Sequence, residues 1–251
     1  MMFNLSGKTY WLIGASEGLG RALAYELSAS GVYLCLSARN ETRLTELASK
    51  LPGKAMIIPM DVRNSESVAI AFEKLPKLDG IIYSAGTYEP MAADEWDSEA
   101  AEVMLDVNIM GAMRALGHAI PAMNQTGGGH IILIGSLSGL KGLPGSIGYS
   151  SSKAALIHLA ECLRADLDPK KFKIQIINPG FIKSRLTDKN TFPMPFIMSA
   201  NEAARRTLRI IRGGRFRTAF PKRFAFLFYI ANVLPDWIYF KLFRKTHKSP
   251  Q

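Results

Sequence analysis

Cysteine is scarce in this chain: Cys35 and Cys162 are the two among 251 residues. Neither stands in a CxxC or other metal-ligand spacing, so a disulfide framework, a zinc site and a dithiol redox motif all drop out. Both fall inside apolar patterns, which predicts buried free thiols in a reducing compartment. The four histidines (118, 130, 158 and 247) have no evident partner acid, and no G-x-S-x-G elbow occurs, which argues against a serine hydrolase. The opening MMFNLSGKTY lacks the ~7–15-residue apolar stretch of a secretion signal, so the expected location is the cytoplasm. Charged side chains make up 21% against 48% hydrophobic, which excludes a disordered chain. The length suits one domain with a full core.

Acidic residues are missing from one end. Residues 1–200 carry 19 Lys/Arg and 19 Asp/Glu, whereas residues 201–251 carry 12 and 2. The net charge of +10 therefore belongs to the C-terminal segment. A charge confined in this way argues against nucleic acid as the partner that a basic chain would otherwise suggest.

What the chain does have is apolar runs alternating with glycine-rich turns. Residues 8–13 (KTYWLI) predict a first strand, followed by Gly14-Ala15-Ser16-Glu17-Gly18-Leu19-Gly20 and an apolar helix over 21–30. A G-x3-G-x-G loop between strand and helix permits a tight turn and close backbone approach to a pyrophosphate. It also presents the free N–H groups of a helix N-terminus to an anion. A second strand over 32–37 ends in Ala38-Arg39. An acid there would bind the ribose 2′-hydroxyl of NAD, whereas a cation accommodates the 2′-phosphate of NADP. Arg39 favours NADP(H), with NAD(H) the alternative.

Residues 131–135 read as a strand buried on both faces, ending in Ser136. After a Gly/Pro-rich loop, a helix opens on Tyr149, and Lys153 follows one turn later on the same side. A free phenol titrates near ~10, and a cation ~4–6 Å away favours phenolate. Bringing it near ~7 requires about 4 kcal/mol. We expect Lys153 and a positively charged cofactor ring to supply this together.

With these residues the chain resembles the short-chain dehydrogenase/reductase family over roughly residues 5 to 220, and the Ser-x12-Tyr-x3-Lys spacing is the most specific part. The resemblance implies an α/β fold: a Rossmann-like doubly wound parallel sheet of about seven strands with helices on both faces. Alternating strand and helix patterns lead independently to the same class. Residues 1–220 would be the catalytic domain and 221–251 an extension of it.

The resemblance also assigns roles. Tyr149 would be general acid and base, Lys153 would tune it and hold the ribose, and Ser136 would bind the substrate oxygen. Asn108, in a helical pattern over 98–123, would maintain a proton relay through its backbone carbonyl. Cofactor contacts would come from Gly14, Ser16, Glu17, Gly18, Leu19 and Gly20, from Asp61-Val62 beside the adenine, and from Ala85-Gly86. Pro179, Gly180, Ile182 and Ser184 would lie at the nicotinamide. The chain departs from the family pattern at Ile13, where Thr is usual, at Tyr83-Ser84, where Asn-Asn is usual, and at Ser184, which replaces Thr. Strands over 55–60, 79–84, 173–178 and 216–220 and a helix from Ser199 to Gly213-Gly214 complete the pattern. No metal site is expected.

Residues 188–199 have little regular pattern; in the family this region covers the substrate. Phe192, Met194, Phe196, Ile197 and Met198 would give it an apolar inner face. Beyond it, residues 224–234 form an apolar run of 11, short of the ~20 that span a bilayer. Lys222, Arg223, Lys241, Arg244, Lys245 and Lys248 flank a segment dense in aromatics. Two outcomes are open: an element in the headgroup layer of an anionic membrane, or a helix pair packed on protein. The expected activity is an NADP(H)-linked alcohol/carbonyl oxidoreductase acting on a hydrophobic, lipid-like small molecule. Family likeness adds a homodimer or homotetramer. The competing class is a catalytically silent NADP-binding regulatory or scaffold protein at a membrane surface.

Overall fold

The computed structural model describes residues 3–244. Seven strands form one parallel sheet, β1 (Thr9–Ile13), β2 (Tyr33–Ser37), β3 (Ala55–Ile57), β4 (Gly80–Tyr83), β5 (Gly129–Ile134), β6 (Phe172–Pro179) and β7 (Arg217–Phe220). Their spatial order is β3-β2-β1-β4-β5-β6-β7. Every strand from β1 to β6 except the short β3 is dominated by side chains that bury apolar surface on both faces. In β1, Trp11 and Ile13 point to one core, and Tyr10 and Leu12 to the other. The first core is closed by α3 (Ser65–Glu73), α5 (Gly111–Gln125) and α6 (Ile147–Asp166). The second is closed by α1 (Gly18–Ser28), α2 (Glu41–Lys50) and α7 (Ala200–Gly213). The order reverses between β1 and β4, and at such a point the loops after the strands diverge and leave a crevice.

Helix starts are set by short polar side chains. Asn40, Asn64, Asp97 and Ser199 cap α2, α3, α4 (Ser98–Leu105) and α7, each accepting from the N–H three residues on. Gly214, at φ 71°, ends α7. Two sequence expectations need correction here. The third strand stops at Ile57, short of residue 60, and Cys162 is exposed on α6, while Cys35 is buried as expected.

The extension folds as two helices, α8 (Lys222–Val233) and α9 (Asp236–Arg244), separated by Pro235. On α8, Ala225 and Phe228 pack with Leu137 and Ala219. On α9, Tyr239 donates to the Gly142 carbonyl at 2.6 Å, and Asp236 pairs with Lys141 at 3.3 Å. Among the described residues no helix is long and apolar enough to cross a membrane. Lys245, Lys248 and His247, and the side chains of Phe243 and Arg244, lie outside the described residues.

Candidate active site

The loop after β1 is shaped by contacts that only glycine tolerates. Gly14 has φ 88°, and a Cβ on it would lie 2.5 Å from the Ala85 nitrogen; a Cβ on Gly20 would lie 2.0 Å from the Gly14 carbonyl oxygen. The loops after β1 and β4 are therefore in backbone contact. The preceding residue of α1, Glu17, is extended and makes no side-chain cap, so the helix keeps unsatisfied N–H groups directed at the loop. Glu17 is occupied elsewhere: its carboxylate pairs with Arg43 at 3.1 Å and with Arg185. Arg43 had no role in the sequence reading, although it lies one helical turn after Arg39.

At the β2 end, Arg39 is exposed and lies near enough to Asp61 to act on its charge. Burial works to raise the Asp61 pKa, but hydrogen bonds from Arg63, with Arg39 adding, hold it below the usual range. Val62 turns its side chain into the core against Gly111. After β6, Gly180 N–H donates to the Phe220 carbonyl at 2.7 Å. The covering segment then returns, with Met198 N–H donating to Phe181 O at 3.0 Å and Lys183 N–H to Met198 O at 2.8 Å. Ile182 and Met198 form a one-residue parallel bridge. Ser184 lies 3.6 Å from where a Gly18 Cβ would be, so the post-β6 loop reaches the glycine loop. Thr187, which sequence reasoning missed, locks this turn by donating toward Ile182 and Ser184 carbonyls and accepting from Ser184 N–H.

Ser136, Tyr149 and Lys153 converge at the β5 end. The Ser136 hydroxyl lies near enough to the Tyr149 phenol to lower its pKa. The Lys153 ammonium lies 5.7 Å from the Tyr149 ring centroid and donates to the Ile134 carbonyl at 3.0 Å. Asn108 is fully buried; its Oδ1 accepts from Thr87 N–H at 2.7 Å, and its Nδ2 donates to Thr87 O and to Ser152 Oγ at 2.8 Å. A Cβ on Gly86 would touch both Asn108 Oδ1 and Lys153 Nζ, which places all three together.

The expected single helix over 98–123 is instead broken by a π-turn over Asp106–Met110, with Asn108 at its centre. Periodicity cannot register one inserted residue in an otherwise apolar helix, but such turns concentrate at functional sites. The Tyr83 hydroxyl donates to the Val107 carbonyl in that turn at 2.5 Å, and Gly111 leaves the space for it. Tyr83 thus braces the helix where the family pattern has Asn.

The protein's own groups act on the phenol in opposite directions. Burial pushes Tyr149 up to about 12, the nearby Ser136 hydroxyl pulls it down, and neighbouring Tyr88 raises it. Burial also lowers Lys153 to about 8, and its ammonium is directed to a carbonyl rather than to the phenol oxygen. Tyr88, missed in the sequence, packs edge-on against the Tyr149 ring at 5.2 Å. Ser138, also missed, donates to Ser136 Oγ through its N–H and its hydroxyl, at 3.2 and 2.9 Å, and so orients it; the Ser-x-Ser spacing was the available signal. Of the five apolar side chains of the covering segment, Phe192, Phe196 and Ile197 are exposed and Met198 is buried, and the rings of Phe192 and Phe196 lie against Phe181 and Phe224. His158 does have an acid, Glu161 at 3.3 Å, but it lies on the exposed side of α6. Among the described residues no cluster of ligating side chains could hold a metal ion.

A dinucleotide fits the chemistry of this loop: glycines let it pack tightly between α1 and the β4 loop, and an uncapped helix terminus opens there with free N–H groups for a pyrophosphate. The family model described as short chain dehydrogenase matches residues 8–193. An uncharacterized oxidoreductase of Myxococcus xanthus is 32% identical over 242 residues, covering 94% of this chain and 96% of the relative. A 3-oxoacyl-[acyl-carrier-protein] reductase of Rickettsia felis is 34% identical over 188 residues, covering 75% and 78%. Among solved structures, a short chain dehydrogenase/reductase from Burkholderia phymatum in complex with NAD superposes with a TM-score of 0.83 at 22% identity, covering 92% of this chain and 95% of that one.

Proposed function

The chain belongs to the short chain dehydrogenase family and is an oxidoreductase of it; on that premise we propose that it interconverts a carbonyl and an alcohol on a hydrophobic small molecule, with NADP(H) as cofactor. The observation that carries this reading is the convergence of Ser136, Tyr149 and Lys153 at the β5 end, with the Lys153 ammonium 5.7 Å from the Tyr149 ring centroid. The nicotinamide, when bound, supplies or accepts the hydride at the carbonyl carbon. Tyr149 gives its proton to the carbonyl oxygen in reduction and takes it back in oxidation. Ser136, oriented by Ser138, donates to that oxygen as negative charge develops. Lys153 favours the phenolate left behind and holds the ribose, and Asn108 keeps the relay to solvent from its π-turn.

The cofactor would be held by Gly14, Ser16, Glu17, Gly18, Leu19 and Gly20 at the pyrophosphate, with Asp61 and Val62 at the adenine. Ala85 and Gly86 would border it, and Pro179, Gly180, Ile182 and Ser184 would lie at the nicotinamide. Arg39, with Arg43 behind it, favours the 2′-phosphate and hence NADP(H). Residues 1–220 act as the catalytic domain and 221–251 as its extension, which contacts a membrane surface. The assembly is a homodimer or homotetramer in the cytoplasm.

Tyr149→Phe tests the chemistry. It should bind NADPH as the wild type does, by fluorescence titration, and lose about 10²–10⁴-fold in kcat on carbonyl substrates. Retention of most activity would remove Tyr149 from the mechanism. NADPH binding by the wild type with no turnover over a broad carbonyl panel would favour the scaffold reading.

A further inference from the structure

Helix α8 is apolar on both of its sides. Ala225 and Phe228 pack inward, whereas Phe226, Leu227, Tyr229, Ile230 and Val233 are exposed, with 226, 229, 230 and 233 at the spacing of one outward stripe. Trp237, Phe240 and Leu242 of α9 extend the exposed apolar surface; Val233 is 81%, Trp237 70% and Phe226 61% exposed. A helix lying on a water-soluble domain should turn a polar face outward, and a contiguous patch of this kind marks an interaction surface.

The cations around it identify the partner. Lys222 and Arg223 are exposed in the first turn of α8, which contains no acid, and there they oppose the helix dipole. They do not serve the helix, so their charge is available to something anionic. A second copy of the chain would bring the same cations to the same face and repel.

The inward end of the helix reaches the site. Phe224 lies 5.6 Å from the Phe181 ring, 5.9 Å from Phe196 and 5.3 Å from Phe228, between centroids. A Cβ on Gly180 would lie 3.1 Å from Phe224 and 3.3 Å from Leu137, the neighbours of the proposed nicotinamide loop and of Ser136. Phe196 holds φ 59°, unfavourable for a bulky side chain, in the segment covering the substrate. A chain of aromatic contacts therefore runs from the inward side of α8 through Phe224 to the proposed nicotinamide loop, on the helix whose outer side carries the exposed stripe.

We infer that the outer face of α8 and α9 docks on an anionic lipid surface, and that the substrate is a carbonyl compound dissolved in that surface that enters beside Phe224. The inference rests on the oxidoreductase reading for its substrate and on the exposed face for its docking. The dense aromatic and basic composition suits the headgroup layer.

The test uses the full chain with vesicles of equal parts phosphatidylglycerol and phosphatidylcholine, and with phosphatidylcholine alone. The variant is Phe226→Asp/Val233→Asp/Trp237→Asp, at positions outside the site. The wild type should sediment with the anionic vesicles, less so as salt rises, and little with the zwitterionic ones. Losing three apolar side chains should weaken binding by at least about tenfold. NADPH oxidation with a long-chain ketone carried in the vesicles should fall in proportion, while the rate with a short water-soluble ketone stays within about twofold. Equal sedimentation of wild type and variant, or a change of oligomeric mass with no change in lipid binding, overturns docking. Retained docking with an unaltered rate on the vesicle-borne ketone in the variant overturns delivery. Failure of the wild type to turn over either ketone refutes the oxidoreductase reading, and with it delivery, while sedimentation still decides docking.

Discussion

Lys153 is a cationic side chain that the fold holds at 4% exposure. Burial lowers its pKa to about 8, so between pH 8 and its ordinary 10.5 the unfolded chain binds a proton that the folded chain has released. The folded state bears the full cost of the buried charge below pH 8 and is relieved of it as pH rises toward 10.5. Lys153→Met should therefore be no less stable than the wild type at pH 7 and should lack the wild type's gain in stability across that window. Denaturant titrations at pH 7 and 9.5 measure this; a variant less stable at pH 7 would mean that Lys153 stabilises the fold. The identities of Ser136, Tyr149 and Lys153 were legible because their spacing is a property of the chain. The pKa of Tyr149 was not, since it depends on how much of the ring Tyr88 and the surrounding fold cover. Spacing also gave no sign of Tyr88 itself, which reaches Tyr149 across 61 positions of sequence.

At the scale of elements, the strands were readable because a parallel strand buried on both faces is a near-continuous apolar run. The π-turn at Asn108 was not, because its cause lies outside the helix. Tyr83 at the end of β4 donates to Val107 O, and Asn108 clasps the Thr87 backbone, so the β4 end and the loop after it act on the same turn. Tyr83→Phe removes the first of these bonds while retaining the ring. It should cost about 1–2 kcal/mol of unfolding free energy, since a buried acceptor is left unpaired. It should also lower kcat with little change in NADPH affinity. Equal loss of cofactor affinity and kcat would mean that Tyr83 supports the whole crevice rather than the turn. The extension likewise divided between what sequence patterns encode and what they do not. Its two helices follow from the apolar runs on either side of Pro235, but only the fold decides that Phe228 faces in and Val233 out.

Across the whole molecule, the sheet is pinned at the end opposite the site by a buried polar ladder. His130 bonds Tyr10 at 2.9 Å and Gln175 at 2.7 Å, and Gln175 donates on to the Ile210 and Arg215 carbonyls, tying β1, β5 and β6 to the end of α7. Burial lowers the His130 pKa to about 4, with Gln175 opposing and Lys173 adding. Below its ordinary 6.5, the unfolded chain takes up a proton that the fold refuses until about pH 4. The stability this neutral histidine permits is whole above pH 6.5 and is lost as pH falls toward 4. Its share of the loss between pH 7 and 5 should be about 2 kcal/mol. His130→Gln should show a correspondingly smaller drop in guanidinium denaturation at the two pH values. An identical drop in both proteins would assign the acid sensitivity to carboxylates instead.

The bridge from Met198 back to Phe181, Ile182 and Lys183 joins the segment proposed to cover the substrate and the bed proposed for the nicotinamide through backbone contacts. Neither can swing without tugging the other. A dinucleotide held against the post-β6 loop would through this bridge also steady residues 188–199.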